Sequence, residues 1–312
     1  MNKVKGVIFA VISAVTFGFA PILISKTYEL GNNPMMMAFS RNLLMIPILF
    51  LYLLAKGVNF RITKKQFFQL VLLSGFGTTT SLVFLYNSYN YIPVSMATSI
   101  NFVYPTLVAV ASVLVFKESM SKFRKLAVVS SLIGIFLFMD ISGGSRNLFI
   151  GVGLALTSGF AYAFYIIFLA KSGLLKLPSL VITFYSCIVC SVLIGIIGAF
   201  TKTIRPGDMA LEGWLLTLVI SILITILGAM FIQLAVLNVG TTVTSVLATL
   251  EPITTLVLGY LLFQERVGFT KLMGCILVLT AVLLLALDQR RMSKERAKNI
   301  EVYEDIVNEE II

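Results

Sequence analysis

The sequence predicts an all-α integral membrane protein, with ten transmembrane helices arranged as two inverted five-helix repeats. Three observations predict this: an excess of apolar residues, ten apolar runs of bilayer length, and a weak internal repetition at a nearly fixed offset. Of the 312 residues, 58% are hydrophobic and 12% are charged, and the mean hydropathy is +0.99. A soluble domain carries about 25% charged residues. One core cannot hide this much apolar surface, so much of it faces lipid. Crossing the hydrocarbon of a bilayer takes about 20 helical residues. Runs of that length occupy 6–26, 34–55, 67–86, 93–116, 122–140, 148–170, 178–200, 211–236, 242–263 and 268–287. Short loops and one tail remain, which leaves no room for a soluble catalytic domain.

The first run follows Met1–Lys5. It is about twice the length of a secretory h-region and no A-x-A site follows it, so it reads as a retained span. Loop charge then orients the chain. The segments 3–5, 56–65, 117–125, 171–176 and 290–298 fall on one side and hold seventeen Lys and Arg. The opposite side holds six, and Arg41 lies inside a span. The basic excess marks the cytoplasmic side, placing both termini in the cytoplasm. The expected location is therefore the cell's inner, cytoplasmic membrane. The net charge of +10 is on this reading a topology signal and not a nucleic-acid footprint, so no nucleic-acid partner is expected. In the tail, the basic block 290–298 is placed at the anionic inner leaflet, ahead of acidic residues from Glu301 to Glu310.

The repetition divides the spans into two sets. Gly6, Ala10, Ala14 and Gly18 recur every fourth residue in the first span, and Gly151, Ala155, Gly159 and Ala163 do so 145 positions later. Small residues at that spacing give a smooth helix face that another backbone can approach closely. At an offset of 147, Pro105 matches Pro252, Val110 matches Val257, Leu114 matches Leu261, Phe116 matches Phe263 and Glu118 matches Glu265. Phe84 and Phe231 extend this register. A repeat of five spans is odd, so the second copy enters the membrane from the opposite side, an architecture common in secondary transporters. The expected units are 1–145, 146–287 and a cytoplasmic tail, 288–312.

With no histidine and three cysteines, the chain offers no ligand set for haem or zinc and no Ser–His pair. No cofactor is expected. Cys187 and Cys190 form a C-x-x-C inside an apolar helix and read as small packing residues. No G-x-x-x-x-G-K-[ST] is present. A membrane-embedded enzyme would need clustered acids, bases or metal ligands at a membrane face, and the sequence shows none.

Charge within a bilayer is costly, about 2.5–3.5 kcal/mol at the helix centre, so two residues draw attention. Glu251 lies nine residues past Thr242, about 14 Å along a helix and so near the midplane. It is expected to bind a substrate cation or a proton; the alternative is a neutral carboxyl bonded between helices. Arg41 lies seven residues into its span, about 10 Å from the external boundary. It can snorkel outward, bind a substrate carboxylate bidentately, or lock one state. Pro105 and Pro252 are expected to kink equivalent helices as hinges, with helix-end punctuation as the alternative. Tyr86, Asn101 and Tyr104 in the first half, with Tyr162, Tyr165 and Gln233 in the second, are candidates to orient an amphipathic ligand. Packing or an interfacial position accounts for each equally well. Tyr86 aligns with Gln233, and Tyr104 with Glu251. Thr78, Thr79, Thr80 and Ser81 can bond their own helix carbonyls and are assigned nothing. Glu118 and Glu265, at helix C-terminal ends, read as loop fasteners.

Four segments carry a family resemblance: Ser13, Ala14 and Phe17-Gly18; Phe39-Ser40-Arg41; Pro105…Phe116-Lys117-Glu118; and Glu251-Pro252…Phe263-Gln264-Glu265. Over about residues 6–287 the chain resembles the drug/metabolite transporter superfamily (DMT), in particular its ten-span EamA-type members. That family often has tryptophan where this chain has Phe17; Trp214 is the chain's only tryptophan. The resemblance implies alternating-access transport of small metabolites, often amino acids or amphipathic compounds and commonly outward. The expected function is thus a secondary active transporter exporting amino acids or related compounds, with a proton-coupled multidrug or cation exporter as the alternative. Expected partners are a small-molecule substrate, the lipid bilayer and protons as a candidate coupling ion. The oligomeric state stays open.

Overall fold

A computed structural model describes residues 3–116, 121–138, 146–231, 250–263, 268–270 and 272–288, together with 234–235, 238–239, 244, 247–248 and 291. Among the described residues the chain is helical, with no strand. The helices are α1 (Lys3–Glu29), α2 (Pro34–Ala55), α3 (Lys64–Leu72), α4 (Thr80–Ser88), α5 (Val94–Asn101), α6 (Tyr104–Phe116), α7 (Lys122–Phe138), α8 (Arg146–Ser172), α9 (Ser179–Thr201), α10 (Leu211–Ile222), α11 (Leu250–Phe263) and α12 (Leu272–Asp288). Six described helical stretches are long and apolar enough to cross a bilayer: Val4–Glu29, Pro34–Ala55, Lys64–Ser88, Val94–Ala111, Arg146–Leu169 and Ser179–Thr201. Leu211–Thr225, Leu250–Leu262 and Leu272–Asp288 are shorter apolar helices. Large apolar side chains such as Phe76, Phe136, Phe160, Phe200 and Tyr260 project outward from them. In water such a surface would aggregate; in a bilayer it is solvated.

Local sequence fixes the helix ends. Asn33 accepts from the Met36 N–H at 2.9 Å, and Pro34 fills the first helical position, where its missing N–H costs nothing. Thr63 and Gln66 form a reciprocal capping box on α3. Gly31 turns the chain between α1 and α2 at a φ of 86°. A Cβ there would lie 2.0 Å from the Asp208 carbonyl oxygen, so only glycine fits both the turn and the neighbouring loop.

Two rods contain a wider turn that the sequence reading did not anticipate. Leu73–Thr79 is a π-helical segment joining α3 to α4, and Leu223–Met230 is another continuing α10. In the first, the Thr80 hydroxyl donates back to the Gly75 carbonyl at 3.1 Å, five residues earlier. Such turns hold one surplus residue and concentrate at functional positions. A third irregularity separates α5 from α6 at Phe102–Val103. Pro105 provides the cause: it has no N–H to donate, and its ring conflicts with the carbonyl four residues earlier, that of Asn101. Pro21 and Pro47 also sit inside helices, α1 and α2, where no kink was expected.

The four-residue seams of small side chains pack as their spacing requires. A Cβ on Gly6 would lie 2.6 Å from Val239 and 2.7 Å from Asn238; one on Gly151 would lie 2.6 Å from Ile92 and 3.0 Å from Tyr91. The two glycines stand 145 positions apart and their partners 147 apart. The same contact is therefore made twice, once by α1 against 238–239 and once by α8 against 91–92. Further along α1, Gly18 meets the Glu251 carbonyl oxygen and Thr254 of α11, and the Thr255 hydroxyl donates to the Gly18 carbonyl at 2.8 Å. On α8, Gly159 meets the backbone of Asn101.

Elsewhere α2 packs on α9 through Met45, Leu49 and Leu53 against Val181, Phe184 and Cys187. Antiparallel α7 and α12 cross at Gly134, over the Gly274 backbone and Val278. Their other end is tied by a buried ion pair, Arg124 Nε to Asp288 Oδ2 at 2.9 Å. Arg124 lies in the first turn of α7 and Asp288 at the end of α12, and the pairing accounts for their burial.

Candidate functional site

A partly open cavity of about 210 Å³ lies between the helices. Phe17 of α1, Arg41, Asn42 and Met45 of α2, and Tyr162 and Tyr165 of α8 line it. Thr183, Ser186 and Cys187 of α9 contribute, as do Leu82 of α4, Thr78 from the first π segment, and Ile224 and Thr225 from the second. Both wide turns thus open onto this space.

The lining follows the internal repetition. Phe17 and Tyr162, Arg41 and Ser186, and Asn42 and Cys187 are each 145 positions apart; Thr78 and Thr225 are 147 apart. Four pairs of repeat-related positions therefore face one cavity. Serines distant in the sequence hold the two π segments in place. Ser74 donates to Ser186 at 2.9 Å, and Ser13 donates to the Gly228 carbonyl at 2.8 Å. The ring of Phe17 lies against Gly228, leaving no room for a Cβ there.

The Arg41 guanidinium donates through Nη1 to the Tyr86 hydroxyl, and the Tyr86 carbonyl accepts from Tyr28 at 3.1 Å. Among the described residues Arg41 forms no ion pair. Tyr162 and Tyr165 stack with centroids 5.6 Å apart, and Tyr104 meets Tyr162 edge-on at 4.7 Å. Glu251 is not part of the cavity lining. It is in electrostatic range of Tyr89, Tyr104 and Tyr162, and Arg41 acts on Tyr89 and Tyr162 as well.

The structure gathers only some of the expected residues. Arg41, Tyr162 and Tyr165 line the cavity, and Tyr86 holds Arg41 from behind. Tyr104 supports Tyr162. Asn101 knits helices instead, its Oδ1 accepting from Ser158, whose hydroxyl also meets Ser81 at 3.1 Å. Pro252 is buried in α11, beside Glu251. Gln233, Glu118 and Glu265 lie outside the described residues. Sequence reasoning passed over Thr78 and Thr225, although the 147-residue register already paired them. Cys187, read as packing, contributes to the lining, while Cys190 is buried and accepts from Thr79 at 3.2 Å.

Long apolar helices around a partly open cavity with polar and aromatic walls define a helical membrane protein. The model of the EamA-like transporter family matches residues 4–139 and again 149–287, and the chain belongs to that family. A Synechocystis sp. protein described as an uncharacterized transporter is 28% identical over 231 residues, 72% of this chain and 68% of its own. A solved protein crystal structure superposes on 91% of this chain and 98% of its own with a TM-score of 0.63 at 13% identity, a likeness of fold alone. Membrane transport of small molecules is the activity these relationships support.

Proposed function

We propose that the chain is a secondary active transporter that exports small metabolites, amino acids or related compounds, across the cytoplasmic membrane by alternating access. Its ten spans form two inverted halves, 1–145 and 146–287, with both termini and the 288–312 tail cytoplasmic. The observation that carries this reading is the cavity lined by four pairs of repeat-related positions. A site shared by two near-equivalent, oppositely inserted halves can open to either face when the halves exchange conformations. The doubled contacts of Gly6 and Gly151, the doubled family match and the seventeen-to-six loop charge bias support the arrangement. Pro105 and Pro252 serve as hinges in it, with the break before Pro105 in support.

In this reading Glu251 couples transport to protons. It sits against α1 beside the tyrosine wall, not among the lining residues, which suits a coupling group better than a substrate ligand. Glu251→Gln keeps the shape and abolishes proton exchange at that side chain. Proteoliposomes carrying a labelled panel of amino acids, nucleosides and dyes, with and without a pH gradient, test both parts. Wild-type protein moves a member of the panel saturably, and a pH gradient drives its accumulation. The variant loses about tenfold or more of the gradient-driven component and keeps exchange. Full gradient dependence in Glu251→Gln removes the coupling role; no transport by wild-type protein removes the proposed function.

A further inference from the structure

The walls of the cavity are rich in hydrogen-bond donors and contain a single charge. Arginine has five N–H donors in a rigid fork and cannot shed its proton. Tyr86 takes one of them, and among the described residues no carboxylate neutralises the rest. Thr78 and Thr225 line the space, and neither hydroxyl has a hydrogen-bond partner among the described residues. Ser186 accepts from Ser74, which frees its own proton as well. Glu251, the acid that would receive a cation, is not among the lining residues. A buried cation in such surroundings is stabilised by a counter-charge, and a planar carboxylate fits the fork bidentately.

We infer that the transported substrate is a small organic acid with net negative charge, its carboxylate seated on Arg41 between the Thr78 and Thr225 hydroxyls. The inference rests on the transport reading and narrows its small metabolites to acids with net negative charge, setting zwitterionic amino acids aside. A dry cavity of about 150 Å³ takes benzene. This one, at about 210 Å³, takes a body of that size plus a short acidic arm. Phe17 and the stacked Tyr162–Tyr165 pair supply faces for a flat apolar body.

Three labelled probes with one ring and different charge test this on the full chain: 3-phenylpropionate, phenylalanine and 2-phenylethylamine. Binding to detergent-purified protein and uptake into proteoliposomes are both read. Wild-type protein binds the anion at least about tenfold more tightly than the amine, with the zwitterion between them. Arg41→Gln weakens anion binding about ten- to a hundredfold, and Arg41→Lys recovers part of it. Thr78→Val and Thr225→Val, which keep shape, each weaken it by about two- to tenfold with unchanged thermal stability. If Arg41→Gln does not fold, Cys187 reports from the cavity with Cys190 and Cys275 replaced by alanine. A negatively charged methanethiosulfonate then modifies it faster than a positively charged one.

Equal or tighter binding of the amine or the zwitterion overturns the inference, as does anion binding unaffected by Arg41→Gln. Absence of anion binding, or faster labelling by the cationic reagent, does the same. The two readings fail separately. Uptake of the amine alone leaves transport standing without the anion site; anion binding without any uptake leaves the site standing without transport.

Discussion

Gly18→Val is expected to separate α1 from α11 and abolish both stable expression and transport. A Cβ at this position would stand 2.5 Å from the Glu251 carbonyl oxygen and 2.6 Å from the Thr254 Cβ, so it meets backbone and a branched side chain. Retreat would break the bond from the Thr255 hydroxyl to the Gly18 carbonyl. Overpacking costs about 1–3 kcal/mol where side chains can adjust, and here the obstacle cannot rotate away. Gly151→Val should cost a similar amount, because its Cβ would press on Ile92 at 2.6 Å. Gly153→Val is the control on the same helix: nothing lies within 4 Å, and its stability should stay near wild type. Thermal unfolding of purified variants, followed by size-exclusion chromatography, ranks the three. A Gly18→Val protein as stable as Gly153→Val would refute the close approach of α1 to α11.

The second large effect concerns Asp288. Asp288→Ala strips the Arg124 guanidinium of its carboxylate in a seam where the two side chains are 10% and 2% exposed. Removing one member of a buried pair costs about 3–5 kcal/mol, because the other charge stays desolvated. Replacing both by leucine should recover most of the loss, since apolar pairs of similar volume often match a buried ion pair. Unfolding of the two single variants and the double one forms a thermodynamic cycle. Additive single effects would show that the two residues act independently. The ion pair also ties down α12 beside the tail, so limited proteolysis of the Asp288→Ala protein should cut near α12 first.

Much of this architecture was legible from residue order. Apolar length marked the helices, because a backbone in lipid must satisfy its own hydrogen bonds. The four-residue spacing of Gly6 to Gly18 and of Gly151 to Ala163 foretold close contact, and the structure places both seams at helix crossings. Arg41 stood out because charge inside a span is costly, and Tyr162 and Tyr165 because they cluster one helical turn apart. Other features had no distinct signal. Thr78 and Thr225 are the residue type that most often bonds its own helix, so chemistry alone did not separate them from Thr79, which bonds Cys190. Asn101 looked like a ligand contact and is a helix-to-helix tie, because an amide serves both ends equally well. The pairing of Arg124 with Asp288 had no signal, because pattern cannot reveal a partner 164 residues away. The π turns were invisible for a similar reason: they depend on how one rod fits its neighbours, and no composition marks them.

Those two turns have a mechanical consequence. A rod with one residue too many has slack, much as a ruck does in a carpet. Moving the ruck along by one position advances the stretch it passes by about 1.5 Å and swings it by about 100°, while both ends of the rod stay anchored. Thr78 and Thr225 lie within such stretches. Moving a ruck would re-aim a cavity-lining threonine without unwinding a helix or tilting a span.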